Sequence, residues 1–144
     1  MLSARLFLAI ALSIAGPDDR LDAEKAKHQG EWEVTSYVRD GKDASGEIRA
    51  SIRRVVEGDH VVWKRNGQSF AGTQFEVDPS KSPAAIDLIP DGGPQRDKHV
   101  LGIYRLEGEN LTICVADVDQ PRPLTFDAEP GSKKTLQKLH RVKR

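Results

Sequence analysis

The chain reads as an all-β protein, an antiparallel, up-and-down barrel of eight strands in one domain. Three observations predict this fold. Short segments alternate apolar and polar residues with a period of two. Turn residues separate them at intervals of roughly 8–12 residues. No helical periodicity runs long enough to compete. Closure follows from edge chemistry: strands joined in order by tight turns form a sheet, and sealing it on itself removes its two exposed edges.

The elements follow in chain order. Met1–Arg5 carries one basic residue, and Leu6–Ala15 is an apolar run ending in Ser13-Ile14-Ala15. That run is short of the ~20 residues a bilayer span needs, and its small residues suit a signal peptidase. The expectation is an export signal over residues 1–15, cleaved near Ala15, and delivery to the periplasm or the exterior. Residues 16–28 read as a polar leader, rich in Asp, Glu and Lys, with one helical turn around Asp22 to His28. The barrel domain is expected over residues 29–144.

Strand one runs from Glu31 to Arg39, with Trp32, Val34, Ser36 and Val38 sharing one face. Asp43 to Ser51 is polar and reads as a short helix or a lid-like loop. Two strands, Arg53 to Glu57 and His60 to Arg65, flank Gly58-Asp59. Asn66-Gly67 then signals a tight hairpin, because both residues tolerate positive φ. Further strands are expected from Gln68 to Val77, Ala85 to Ile89, His99 to Glu107, Leu111 to Ala116 and Thr135 to Val142. Clusters of Pro, Gly, Asp and Ser separate most of them.

Composition excludes several functions. The chain has 22 basic and 22 acidic residues and no net charge, against a dedicated nucleic-acid binder. Its single cysteine, Cys114, excludes an internal disulfide framework and reads as a small buried core residue. The four histidines, His28, His60, His99 and His140, sit at no metal-ligand spacing and read as surface or rim residues. There is no Gly-x-Ser-x-Gly elbow and no phosphate loop. No catalytic residue, metal site or cofactor is therefore expected, and an enzyme is the least favoured reading. Asp87, between inward Ile86 and Leu88, should point outward and pair with Lys81 or a neighbouring arginine. The last twelve residues hold six Lys and Arg and no acid, a solvated face or a contact for an anionic surface.

Gly30-Glu31-Trp32 at the start of the first strand resembles the opening of lipocalin-like barrels. That resemblance implies a Trp32 plug at one barrel end with a basic residue of the last strand, Arg141 or alternatively Lys138, stacked on it. More of the chain resembles a small secreted domain of planctomycete bacteria. The residues that carry the likeness include His28-Gln29-Gly30-Glu31-Trp32, Asp78-Pro79-Ser80-Lys81, Leu101-Gly102-Ile103-Tyr104, Arg122-Pro123 and Gly131-Ser132. This resemblance implies a one-domain, exported, barrel-like protein and implies no activity.

A barrel of this size is either filled by side chains or holds one small ligand. Alternation places Trp32, Val34, Trp63, Phe75, Ile86, Leu88, Tyr104 and Ile113 inside as candidate ligand contacts. Val38, Val56, Val77, Leu111, Leu136 and Leu139 join them in the expected interior. Two functions stay open: an exported carrier of a small apolar ligand, or a cell-envelope interaction or structural module with a filled core. Oligomeric state and protein partners are not legible in the sequence.

Overall fold

The computed structural model describes residues 17–143. The expected export segment over residues 1–15 and the terminal Arg144 lie outside the described residues.

A helix, α1 (Pro17–Ala26), precedes strand β1 (Gly30–Arg39). A two-residue strand β2 (Lys42–Asp43) and a short helix α2 (Gly46–Ser51) follow. The rest is strand: β3 (Ile52–Glu57), β4 (His60–Arg65), β5 (Gln68–Asp78), β6 (Ala84–Pro90), β7 (Val100–Glu107), β8 (Asn110–Ala116) and β9 (Lys134–Arg141). β1 pairs antiparallel with β3, each strand from β3 to β8 pairs antiparallel with the next, and β9 returns to β1, which closes an eight-stranded barrel. β2 is the extra strand, a short return against Val38 and Arg39.

Local chemistry accounts for the turns. At Asn66-Gly67 both φ angles are positive (50° and 81°), the geometry that joins two strands without splaying them. At Asp40-Gly41 the chain turns with φ of 49° and 81°, and a β-carbon at Gly41 would collide with the Pro130 ring. That position therefore takes glycine for both backbone and space. α2 starts on Ser45, whose hydroxyl accepts a hydrogen bond from the Ile48 amide at 3.2 Å.

The barrel core holds Trp32, Val34, Val56, Val61, Phe75, Val77, Ile86, Tyr104, Leu111, Ile113 and Leu139. Val38 and Leu136 are corrections: they pair with each other on the outer face. A β-bulge between Val34 and Ser36 flips the later side chains of β1, so Tyr37 and not Val38 turns inward. On β9 the inward residues are Thr135, Gln137 and Leu139, and Leu136 has the opposite parity.

A second, smaller apolar layer lies outside the barrel. Ala85, Ile103, Cys114 and Ala116 are buried outward-facing residues, and Ala128 of the long 117–133 segment is buried with them. Arg122 anchors that segment by donating to the carbonyls of Ile86 (3.1 Å) and Gly102 (2.8 Å).

Candidate functional site

The two ends of the barrel are built differently. At the lower end the residues before β1 form a plug. His28 was expected at the surface or rim; it is instead fully buried inside the barrel. Its ring meets Tyr104 edge-on at 4.9 Å and tilts against Phe75 at 5.5 Å. Burial, reinforced by the positive field of Arg54, pushes its pKa down to about 4, so the ring is neutral at pH 7. The backbone carbonyl of His28 accepts the Trp32 indole N–H at 3.0 Å.

Arg141 closes the same end. Its guanidinium stands 4.2 Å from the Trp32 ring centroid, a cation–π contact. It also donates to the carbonyls of Gln29 and Lys27 and pairs with Glu109 at 3.0 Å. Gln29 exchanges two hydrogen bonds with the Gly58 backbone, at 2.8 and 2.7 Å. Tyr104 donates its hydroxyl to Glu24 on α1 at 2.7 Å, and burial together with that carboxylate raises the phenol pKa. The leader is thus a helix tied to the barrel floor at several points, more than the single expected turn.

The upper end is open. A recess of about 570 Å³ lies there, bounded by Val34, Tyr37, Ile52, Trp63, Leu88 and Gln137. Ile48 and Arg49 of α2, with Arg65 and Phe70, stand round its rim. Ile48 and Phe70 are 40% and 59% exposed, apolar surface left uncovered at an opening. Among the described residues no acid lines the recess. A larger, shallower groove of about 840 Å³ runs outside the barrel between β5 and the 90–95 loop, and shares Trp63 and Phe70 with it.

Of the candidate ligand contacts, Val34, Trp63 and Leu88 border the recess. Trp32, Phe75, Ile86, Tyr104 and Ile113 belong to the tightly packed lower core. Sequence reasoning missed Tyr37, Ile52, Gln137 and Arg54. The bulge hid Tyr37. Arg54 and Ile52 share the face of Val56, which was expected inside, so alternation carried their signal and the charge on Arg54 concealed it.

Arg54 is 1% exposed on the inner face of β3, in register with Trp32 on one side and Trp63 on the other. Its two terminal nitrogens have no hydrogen-bond partner among the described residues. Burial lowers its pKa to about 10, which leaves it cationic at neutral pH. The Thr73 hydroxyl and the Gln137 side-chain oxygen are likewise buried and unpartnered.

Among the described residues, Glu76, Asp87 and His99 on the outer wall form a cluster of ligating groups with candidate atoms within 4.8 Å of one another. Asp87 points outward as its alternation requires. It binds Arg122 at 2.7 Å and His99 at 2.9 Å. The guanidinium already supplies the positive charge that a metal ion would bring, so the cluster reads as a clamp on the 117–133 segment. Cys114 donates to the Asp127 carbonyl at 3.3 Å, and burial raises its pKa, which keeps the thiol protonated. In the basic final strand, Lys134 pairs with Asp127 and Arg141 with Glu109.

No family model matches the chain, and neither the curated proteins nor the solved structures include a significant match to it.

Proposed function

We propose that this protein is an exported carrier of a small, largely apolar ligand, held in the open upper end of the barrel. The observation that carries the reading is the asymmetry of the two ends. One is plugged by buried aromatics and tied backbone. The other is an apolar cup of about 570 Å³, within the ~300–1,000 Å³ usual for small-molecule sites. A signal-like N-terminus supports export, and Lys138 on the final strand with Lys143 just after it supports attraction to an anionic surface. The test is Trp63 emission during titration with fatty acids, retinoid-like probes and haem. Saturable quenching at micromolar ligand is the expected result. A flat response to every probe moves the protein to the second reading, an envelope module, which the solid lower core favours.

A further inference from the structure

We infer that the ligand is an amphiphile with a single anionic oxygen-bearing head, of carboxylate type, whose head is recognised by Arg54 while its apolar body occupies the upper recess. The inference rests on the carrier reading and adds to it the chemical class of the ligand.

The first support is an uncompensated interior charge. The buried polar and charged residues of the described chain are His28, Arg54, Thr73, Thr135 and Gln137, with no acid among them. Four other guanidinium groups meet carboxylates, Arg39 with Asp117, Arg105 with Glu107, Arg122 with Asp87 and Arg141 with Glu109, and Arg49 and Arg53 donate to backbone carbonyls. Arg54, the most deeply buried of the arginines named, has no such partner among the described residues. A buried, unpaired cation is strongly unfavourable, and replacing it by an apolar residue of similar size is commonly stabilising. A planar fork of N–H donors is matched by a carboxylate, which takes two parallel hydrogen bonds from it.

The second support is position. Ile52 lines the recess, and Arg54 is the next inward residue on the same strand, about 7 Å deeper. Trp63, its register neighbour on β4, borders the recess. Arg49 and Arg65 stand at the rim, and Arg54 lies below the lining, so positive charge stands both at the mouth and beneath the recess. The walls between are apolar. A ligand with an acid head and a hydrocarbon body matches that order: charge below, hydrocarbon against Val34, Ile52, Trp63 and Leu88.

The experiment compares decanoate with decanol on the full chain, below their micelle concentrations, by tryptophan emission and by the shift in thermal midpoint. Decanoate is expected to bind about tenfold or more tightly than decanol, the usual advantage of a hydrogen bond to a charged group. In Arg54→Met the two should bind alike, decanol as tightly as to the unchanged chain. The same substitution should raise the unfolding midpoint without ligand, because it removes a buried unpaired charge. Equal affinity for acid and alcohol in the unchanged chain overturns the role of Arg54 and leaves the carrier reading standing. Binding of neither overturns both. A retained preference for decanoate in Arg54→Met, with Arg54→Gln as the second variant if the first does not fold, also overturns the assignment.

Discussion

The lower and upper ends of this barrel are made from the same strands, yet only one is sealed. At the lower end three aromatics and a neutral histidine pack without exposure, and hydrogen bonds to Lys27, His28, Gln29 and Gly58 tie the incoming chain to the strands. At the upper end the covering element is a six-residue helix with no buried residue. A long segment, 117–133, leaves from the same end but lies on the outer wall, drawn there by Arg122 and Ala128. The difference teaches that closure here is the work of particular residues before and after the strands, while the strands themselves only define the wall.

Each of four measurements breaks or sharpens that contrast. The largest effect is expected from Trp32→Ala. It removes a fully buried indole, its hydrogen bond to His28 and the face on which Arg141 rests. A loss of about 3–5 kcal/mol is expected in urea unfolding. A loss below about 1 kcal/mol would mean that the lower end is not the barrel's keystone.

Acid should open the plug next. The His28 pKa is about 4 in the fold against 6.5 in the unfolded chain, so between these values the unfolded state binds more protons. The contribution is unchanged above pH ~6.5 and falls as pH drops from there toward 4, by up to about 3 kcal/mol. His28→Leu should show a correspondingly shallower decline between pH 7 and pH 4, measured as the difference between the two urea midpoints. Parallel declines would show that the ring does not control the acid response.

Tyr104→Phe keeps the ring in the core and removes only its bond to Glu24. A loss of about 1–2 kcal/mol is expected, with faster amide exchange in α1 and little change in β7. Unchanged exchange in α1 would show that the tether does not hold the helix.

The smallest stability effect belongs to the open end. Phe70→Ser alters a side chain that is mostly exposed, and the unfolding free energy should stay within about 0.5 kcal/mol. Affinity for an apolar probe at the recess should nevertheless fall severalfold. The reverse pattern would make Phe70 part of the core and the rim merely a surface.

Much of the wall is legible from residue order. The strand expected from His60 to Arg65 has those bounds in the structure, and Asn66-Gly67 makes the expected turn. Trp32 with Arg141 was implied by the likeness to lipocalin-like barrels, with Lys138 as the alternative, and not by alternation; Arg141 is the residue on the indole. The rim was less legible: Asp43 to Ser51 read equally as helix or loop, and its helix has only Ser45 as a local signal. The buried state of His28 was illegible, since a histidine after a charged leader carries no alternation to locate it. Arg54 was legible only by parity, as the residue between Ile52 and Val56 on one face, and its charge argued against the interior.

Residue order by itself determined the period-two wall, its turns and the order of its strands, because backbone sterics and alternation act over a few neighbouring positions. Tertiary structure alone decided that the wall closes with Trp32 beside Arg141, that one bulge turns Tyr37 inward, that His28 fills the floor and that Arg54 is left without a counter-charge. Those outcomes depend on registers and contacts between segments far apart in the chain, where burial and charge are set by partners that no local pattern specifies.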